Sequence, residues 1–253
     1  MGVAKDPARA AALYKLAGER GVREGWFNYG IMVENGVGIA KNLGAATQAF
    51  KKSADAGYAK GMAFYADMLR DGLGVIEPDP VNARIWYEKA VTAGYADGNF
   101  GLGRLYELGQ GVPADRVKSC TYYRVAVIGA GDKAEANSLV SAGICASGGV
   151  GMAANKAEAV RLYKLASDKG DAIGALNLGT MYEAGAGVAK DLAESTRLYR
   201  LAGDRGSAKG MAYAGDMYFK GWGVAVDYAE AEKWYRRADA KNYDEATRMI
   251  GVL

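Results

Sequence analysis

The chain has 253 residues, half of them apolar and a tenth aromatic, with 32 basic against 29 acidic residues and a formal net charge of +3. That balance cannot build the strongly positive face that nucleic-acid binding needs, and no run reaches the roughly 18 apolar residues of a membrane span. Histidine is absent, which removes the commonest general base, Ser-His-Asp and Cys-His catalysis, and zinc sites built from His and Cys.

An aromatic residue recurs at Tyr14, Phe50, Tyr87, Tyr123, Tyr163, Tyr199 and Tyr235, at intervals of 36, 37, 36, 40, 36 and 36 residues. A period of this size marks an array of stacked supersecondary units, none of which can bury its apolar face alone. In chain order, each unit opens on a helix N-cap eight residues before the ring: Asp6, Asn42, Asp79, Asp115, Asn155, Asp191 and Asp227. These side chains accept hydrogen bonds from the free N–H groups of a first turn. Pro7 and Pro80 follow two of them, where a fixed φ is tolerated and no N–H is missed.

The helix that follows, the aromatic helix, carries small residues four before the ring (Ala10, Ala46, Ala83, Ser119, Ala159, Ser195, Ala231) and three after it (Ala17, Ser53, Ala90, Ala126, Ala166, Ala202, Ala238). Both offsets lie on one stripe, so a neighbouring helix can approach closely around each ring. Gly21, Gly57, Gly94, Gly170 and Gly206 close five of these helices with a residue suited to the left-handed C-cap region.

A second helix is marked by Tyr29-Gly30, Leu102-Gly103, Ala142-Gly143, Leu178-Gly179 and Ala214-Gly215. Five residues before the marker stands a small residue, in five units Gly25, Gly61, Gly98, Gly174 or Gly210, and two after it an apolar one: Met32, Met68, Leu105, Cys145, Met181, Met217 and, in the last unit, Leu253. Glycine inside a helix costs about 1 kcal/mol relative to alanine, so its recurrence predicts close helix contact. This is the glycine helix. Each ends in Gly-x-Gly, from Gly36–Gly38 to Gly221–Gly223, which reads as a helix-ending turn; a phosphate loop would need a preceding strand that the pattern does not contain.

Leu-Gly-x-x-Tyr, Gly-x-Gly-Val, Asp, then small-x-x-(Trp/Leu)-Tyr-x-x-Ala and a closing Gly, as in Leu178 to Gly206, resembles the Sel-1-like repeat, a relative of the tetratricopeptide repeat. The resemblance covers the whole chain and implies an all-α fold, a right-handed α/α superhelical solenoid, acting as a protein-binding adaptor. The expected organisation is one solenoid domain over 1–253, with repeats 2–37, 38–73, 74–110, 111–150, 151–186 and 187–222 and a truncated seventh over 223–253.

Two repeats depart from the rhythm. The third has one extra residue in its entry loop, at Ile76-Glu77-Pro78, which a surface loop absorbs at little cost. The fourth has four extra residues between Tyr123 and Gly149 and drifts from the pattern; it reads first as drift, with a hinge or a partner site as alternatives. It also holds both cysteines. Cys145 replaces a core methionine and Cys120 stands where Ala11, Thr47 and Arg84 stand elsewhere, so both are expected as free thiols, the family's helix-to-helix disulfides requiring cysteines in every repeat.

Lys15, Lys51, Lys164 and Arg200 each have an acid four residues on, Glu19, Asp55, Asp168 and Asp204, which reads as a solvated face of i,i+4 pairs. If the glycine helix corresponds to the first helix of a tetratricopeptide unit, it lines the concave face. Positions three before, one after and four after its marker glycine then supply the partner-binding groove: Phe27, Ile31, Glu34, Asp67, Arg70, Phe100, Arg104, Glu107, Thr180, Glu183, Asp216 and Phe219, together with Ala63, Leu176 and Ala212. Phe27, Ile31 and Phe100 are the sharper candidates, because apolar residues on a solvent face call for a partner; their alternative is packing against a neighbouring repeat.

The reading is a non-catalytic scaffold for a protein or peptide, with no catalytic residue, cofactor or metal, no nucleic-acid partner and no membrane insertion. The alternative is a small-molecule or glycan-sensing module of an envelope-associated or secreted regulator. No signal peptide or transmembrane segment is visible, and the expectation is a soluble protein, cytoplasmic or exported after loss of a leader. The apolar end, Met249-Ile250-Gly251-Val252-Leu253, is expected to mark either a piece of a longer protein or a dimer contact.

Overall fold

Asp6, Asn42, Asp79, Asp115, Asn155, Asp191 and Asp227 all do the same thing: each side chain accepts a hydrogen bond from the backbone N–H three residues on, starting a helix. The structure is a computed structural model that describes residues 6–252; Met1–Lys5 and the core position expected at Leu253 lie outside the described residues. The aromatic helices are α1 (Pro7–Glu19), α3 (Leu43–Asp55), α5 (Pro80–Thr92), α7 (Arg116–Ala130), α9 (Lys156–Asp168), α11 (Leu192–Asp204) and α13 (Tyr228–Asp239). The glycine helices between them are α2 (Arg23–Asn35), α4 (Ala59–Asp71), α6 (Gly98–Leu108), α8 (Ala136–Gly148), α10 (Ala172–Ala184) and α12 (Ala208–Lys220), with a short α14 (Asp244–Ile250). Among the described residues there is no strand.

The helices gather into two compact units, one ending at Ala134 and the other beginning at Glu135. Within each, α3, α5, α9 and α11 pack on the glycine helices before and after them, α1 packs on α2, α7 on α6, and α13 on α12 and α14. The extra residues of the fourth repeat lengthen α7 to 15 residues and form a 3-10 turn over Gly131–Lys133.

The period of the rings has a direct cause. Five of the seven rings, Phe50, Tyr123, Tyr163, Tyr199 and Tyr235, lie on the marker glycine of the preceding glycine helix: a methyl on Gly215 would stand 2.6 Å from the Tyr235 ring, and one on Gly103 2.5 Å from that of Tyr123; before Tyr87 the marker position holds Ala66. Glycine is therefore the seat that lets the ring be buried, an exchange of about 1 kcal/mol of helix propensity for the roughly 1.5–3 kcal/mol of burying a large side chain. Phe50, Tyr87, Tyr199 and Tyr235 are almost fully buried, whereas Tyr14, which no described glycine helix precedes, is 39% exposed.

The Gly-x-Gly turns serve two purposes. The first glycine is a left-handed C-cap, as at Gly221 with φ 67°. The second lets the loop fold onto the start of the aromatic helix of its own repeat. A Cβ on Gly223 would lie 2.2 Å from the Leu192 carbonyl, and Thr196 Oγ1 donates to the Trp222 carbonyl at 2.9 Å, as Thr47 Oγ1 does to that of Leu73 at 2.7 Å.

Two sequence expectations fail here. Cys120 and Cys145 are not free thiols, since both are disulfide-bonded. Of the four i,i+4 pairs, Lys15–Glu19, Lys51–Asp55 and Lys164–Asp168 form, but Asp204 accepts instead from Arg237 of the next aromatic helix at 2.9 Å. At the C-terminal end, Met249 and Ile250 pack on the core around Tyr235 and Ala246, and Val252 is exposed.

Candidate partner-binding surface

The deep burial of each tyrosine ring leaves its hydroxyl in need of an acceptor, and the glycine helix supplies one. Tyr87 donates to Asp67 Oδ1 at 2.6 Å and Tyr235 to Asp216 Oδ1 at 2.7 Å. Tyr123 donates to Glu107 Oε2 at 2.6 Å and Tyr199 to Glu183 Oε2 at 2.5 Å. The choice of acid follows reach: the shorter aspartate stands one residue after the marker position, the longer glutamate four after it, one turn along the same face. Burial and the neighbouring carboxylates raise all four hydroxyls well above the usual tyrosine range.

Two repeats break this pairing. In the first, Glu34 is at the glutamate position but the ring over Gly30 is Phe50, which has no hydroxyl; burial and the charge of Asp67 raise the Glu34 carboxyl, with Lys41 opposing. In the fourth, Ile144 and Ser147 occupy both acid positions, and burial alone pushes Tyr163 up to about 12.

The unit that ends at Ala134 closes one of its carboxylates internally. Arg70, buried on α4, reaches Asp67 at 2.8 Å and Asp71 at 2.6 Å and donates to the Tyr87 hydroxyl at 2.7 Å. The guanidinium hydrogen bond holds the Asp71 carboxyl below its usual range, while Asp67, where burial outweighs Arg70 and Tyr87, is raised. Phe27 is likewise interior, 8% exposed, its ring 4.9 Å from Phe64 and 5.4 Å from Tyr58. The expected solvent exposure of Phe27 and Arg70 is thus corrected: one packs against the neighbouring repeat and the other is drawn in by two carboxylates. Ile31 and Glu34 are half-buried; Phe100 is half-buried against the Tyr123 ring at 5.5 Å; Arg104 is half-buried and Glu107 exposed.

In the unit that begins at Glu135, Thr180 is exposed, Glu183 and Asp216 are half-buried, and Phe219 is half-buried against Tyr228 at 5.6 Å. Here the face is indented by a pocket of about 580 Å³ between α10 and α12, with Tyr199, Leu192 and Met217 as its floor. Thr180 and Glu183 form one wall, Tyr213, Asp216 and Lys220 the other, and Lys190 and Trp222 the loop end. Trp222 is 40% exposed, with Lys220 Nζ 4.5 Å from its ring and 3.9 Å from Asp216. Sequence reasoning placed Thr180, Glu183 and Asp216 on this face and missed Tyr213, Lys190, Lys220 and Trp222. The one available signal was Trp222 itself, where the other Gly-x-Gly turns carry Val37, Leu73, Gln110, Val150 and Ala186.

A helix-pair array with rings seated on glycines and Gly-x-Gly returns defines an α/α repeat protein. The Sel1 repeat model matches residues 1–22, 27–58, 59–95, 96–127, 134–171, 172–207 and 208–243, so the chain belongs to the Sel1 repeat family. Sel1-repeat proteins are generally protein-interaction scaffolds. A search of curated proteins finds no match. Among solved structures, c5321, a protective antigen of uropathogenic Escherichia coli with an SLR fold, is 27% identical with a TM-score of 0.75, over 96% of this chain and 51% of that protein. The chain therefore spans about half the length of that relative. A Sel1 repeat protein from Oxalobacter formigenes is similar in fold, at 24% identity and a TM-score of 0.75 over 92% of this chain and 99% of that one. The immunity protein Pa5087 of Pseudomonas aeruginosa shares the fold at 18% identity, with a TM-score of 0.58 over 85% and 80%.

Proposed function

We propose that the chain is a non-catalytic scaffold that holds a protein or peptide partner against the face built by its glycine helices. The observation that carries this reading recurs in each unit separately: glycine-helix carboxylates, Asp67 and Glu107 in the first and Glu183 and Asp216 in the second, are each fixed in place by a tyrosine hydroxyl, and half-buried apolar side chains such as Ile31 and Phe100 in the first and Phe219 in the second stand on the same helices or their neighbours. Immobilised acceptors next to apolar surface lower the ordering cost of binding. Family membership supports the scaffold role. No helix among the described residues is long and apolar enough to cross a membrane.

The test is affinity capture from cells of the source organism with three baits: the native chain, a Phe100→Ala/Phe219→Ala variant, and a Leu13→Ala/Val117→Ala variant changed at exposed positions of the aromatic helices. A partner lost from the Phe100→Ala/Phe219→Ala bait alone, with its thermal melt intact, supports the reading. Equal retention by all three contradicts it. The small-molecule or glycan alternative has one observation in its favour, the aromatic pocket between α10 and α12, whose volume suits a small ligand.

A further inference from the structure

We infer that the pocket between α10 and α12 receives the guanidinium of an arginine carried by an extended peptide segment of the partner. The inference rests on the scaffold reading and adds the chemistry that this part of the surface recognises. Its warrant is a comparison of equivalent turns in α4 and α12. In α4 the aspartate one residue past the marker position, Asp67, accepts from Tyr87, and Arg70 three residues later lies over it. That guanidinium contacts Asp67, Asp71 and the Tyr87 hydroxyl at 2.6 to 2.8 Å. In α12 the aspartate and tyrosine are kept, as Asp216 and Tyr235 at 2.7 Å, but Phe219 stands in the place of Arg70 and turns to Tyr228. The acceptor that an internal arginine satisfies in α4 borders an open pocket in α12.

The remaining walls suit the same group. Glu183 faces Asp216 across the pocket, with its carboxylate oriented by Tyr199, so a planar fork of N–H donors meets a carboxylate on each side. Tyr213 and the exposed Trp222 bring rings on which a guanidinium can stack in exchange for the ammonium groups now beside them, Lys209 at 5.3 Å and Lys220 at 4.5 Å, and the floor of Tyr199, Leu192 and Met217 accepts the aliphatic stem. The cation now nearest Asp216 is Lys220, at 3.9 Å on an exposed side chain. An exposed pair at that distance contributes little, so a bidentate guest displaces it readily.

The probe is a phage-displayed library of random heptapeptides panned on the native chain, with the selected peptides then synthesised and titrated by calorimetry. The expected result is enrichment of arginine beside an apolar residue. Binding should weaken at least tenfold on Arg→Lys replacement in the peptide, and also in Asp216→Asn and Trp222→Ala chains whose thermal melts are unchanged. Trp222→Ala, at an exposed loop position, keeps the test usable if Asp216→Asn fails to fold. Selected peptides without arginine, or unaffected by both substitutions but weakened by Phe100→Ala, overturn the arginine pocket and leave the scaffold reading in place. Failure to enrich any peptide, with binding of neutral oligosaccharides weakened by Trp222→Ala, overturns both.

Discussion

The turns that follow the marker positions of α4 and α12 start from the same chemistry and end differently. Both hold an aspartate under a buried tyrosine hydroxyl, yet α4 closes the acceptor with its own Arg70, whereas α12 carries Phe219 there and opens a pocket of about 580 Å³ beside Asp216. A tyrosine that must find an acceptor after burial brings a carboxylate to the surface as a structural by-product. The next side chain on that face decides whether the charge is consumed internally or remains for a partner.

The comparison breaks most visibly at Arg70. Arg70→Ala leaves Asp67 and the Tyr87 hydroxyl without their cation and should cost about 2–3 kcal/mol, less than the loss for a fully buried pair because the side chains of Asp67 and Asp71 stay 41% and 39% exposed; denaturant titration measures it, and a loss below about 1 kcal/mol would place the guanidinium outside the fold's energetics. Next comes the seat of the ring. Gly215→Ala puts a methyl 2.6 Å from the Tyr235 ring and should destabilise by about 1–3 kcal/mol through overpacking, although alanine is the better helix former. A smaller loss, about 1 kcal/mol, is expected for Asp191→Ala, which removes a side-chain cap from α11.

The hydroxyls add a pH dependence. Because Tyr87, Tyr123, Tyr199 and Tyr235 titrate higher when folded than the ordinary value near 10, the folded state favours their neutral form. Their contribution is fully present below about pH 10 and falls as pH rises from there towards the folded values. Spectrophotometric titration should show these four ionising only with unfolding, after the exposed tyrosines. Smallest in energy but clear in outcome, a thiol assay on denatured, unreduced protein should find no free thiol, since Cys120 and Cys145 are bonded.

The frame of the fold was legible because it is written in backbone chemistry. Caps, closing glycines and Gly-x-Gly turns answer local needs, and all seven caps act as the sequence implies. The surface was legible in position but not in role. The variation at Asp67, Glu107, Glu183 and Asp216 looked like freedom of a groove, but part of it is compensation: each acid meets a tyrosine 16 to 20 residues away, with side-chain length matched to position. Phe27 was misplaced because Phe64 and Tyr58 of the following repeat cover it, and Arg70 because its charge is satisfied by two acids on its own helix. The neighbours of Phe27 lie in another repeat and cannot be read from the helical period; the i,i+3 pair of Asp67 and Arg70 can, but not the Tyr87 hydroxyl that the same guanidinium reaches. The pocket depended on Trp222 and Lys190 in turns, whose side-chain directions no periodicity predicts.

The most direct test of the contrast between the two turns is the structure and stability of a Phe219→Arg chain. The account predicts that the introduced guanidinium folds over Asp216 within hydrogen-bond distance of its carboxylate and the Tyr235 hydroxyl, as Arg70 does on Asp67. It also predicts that the thermal midpoint is retained or raised and that arginine-bearing peptides no longer bind. An introduced side chain that points to solvent, with peptide binding unchanged, would contradict it.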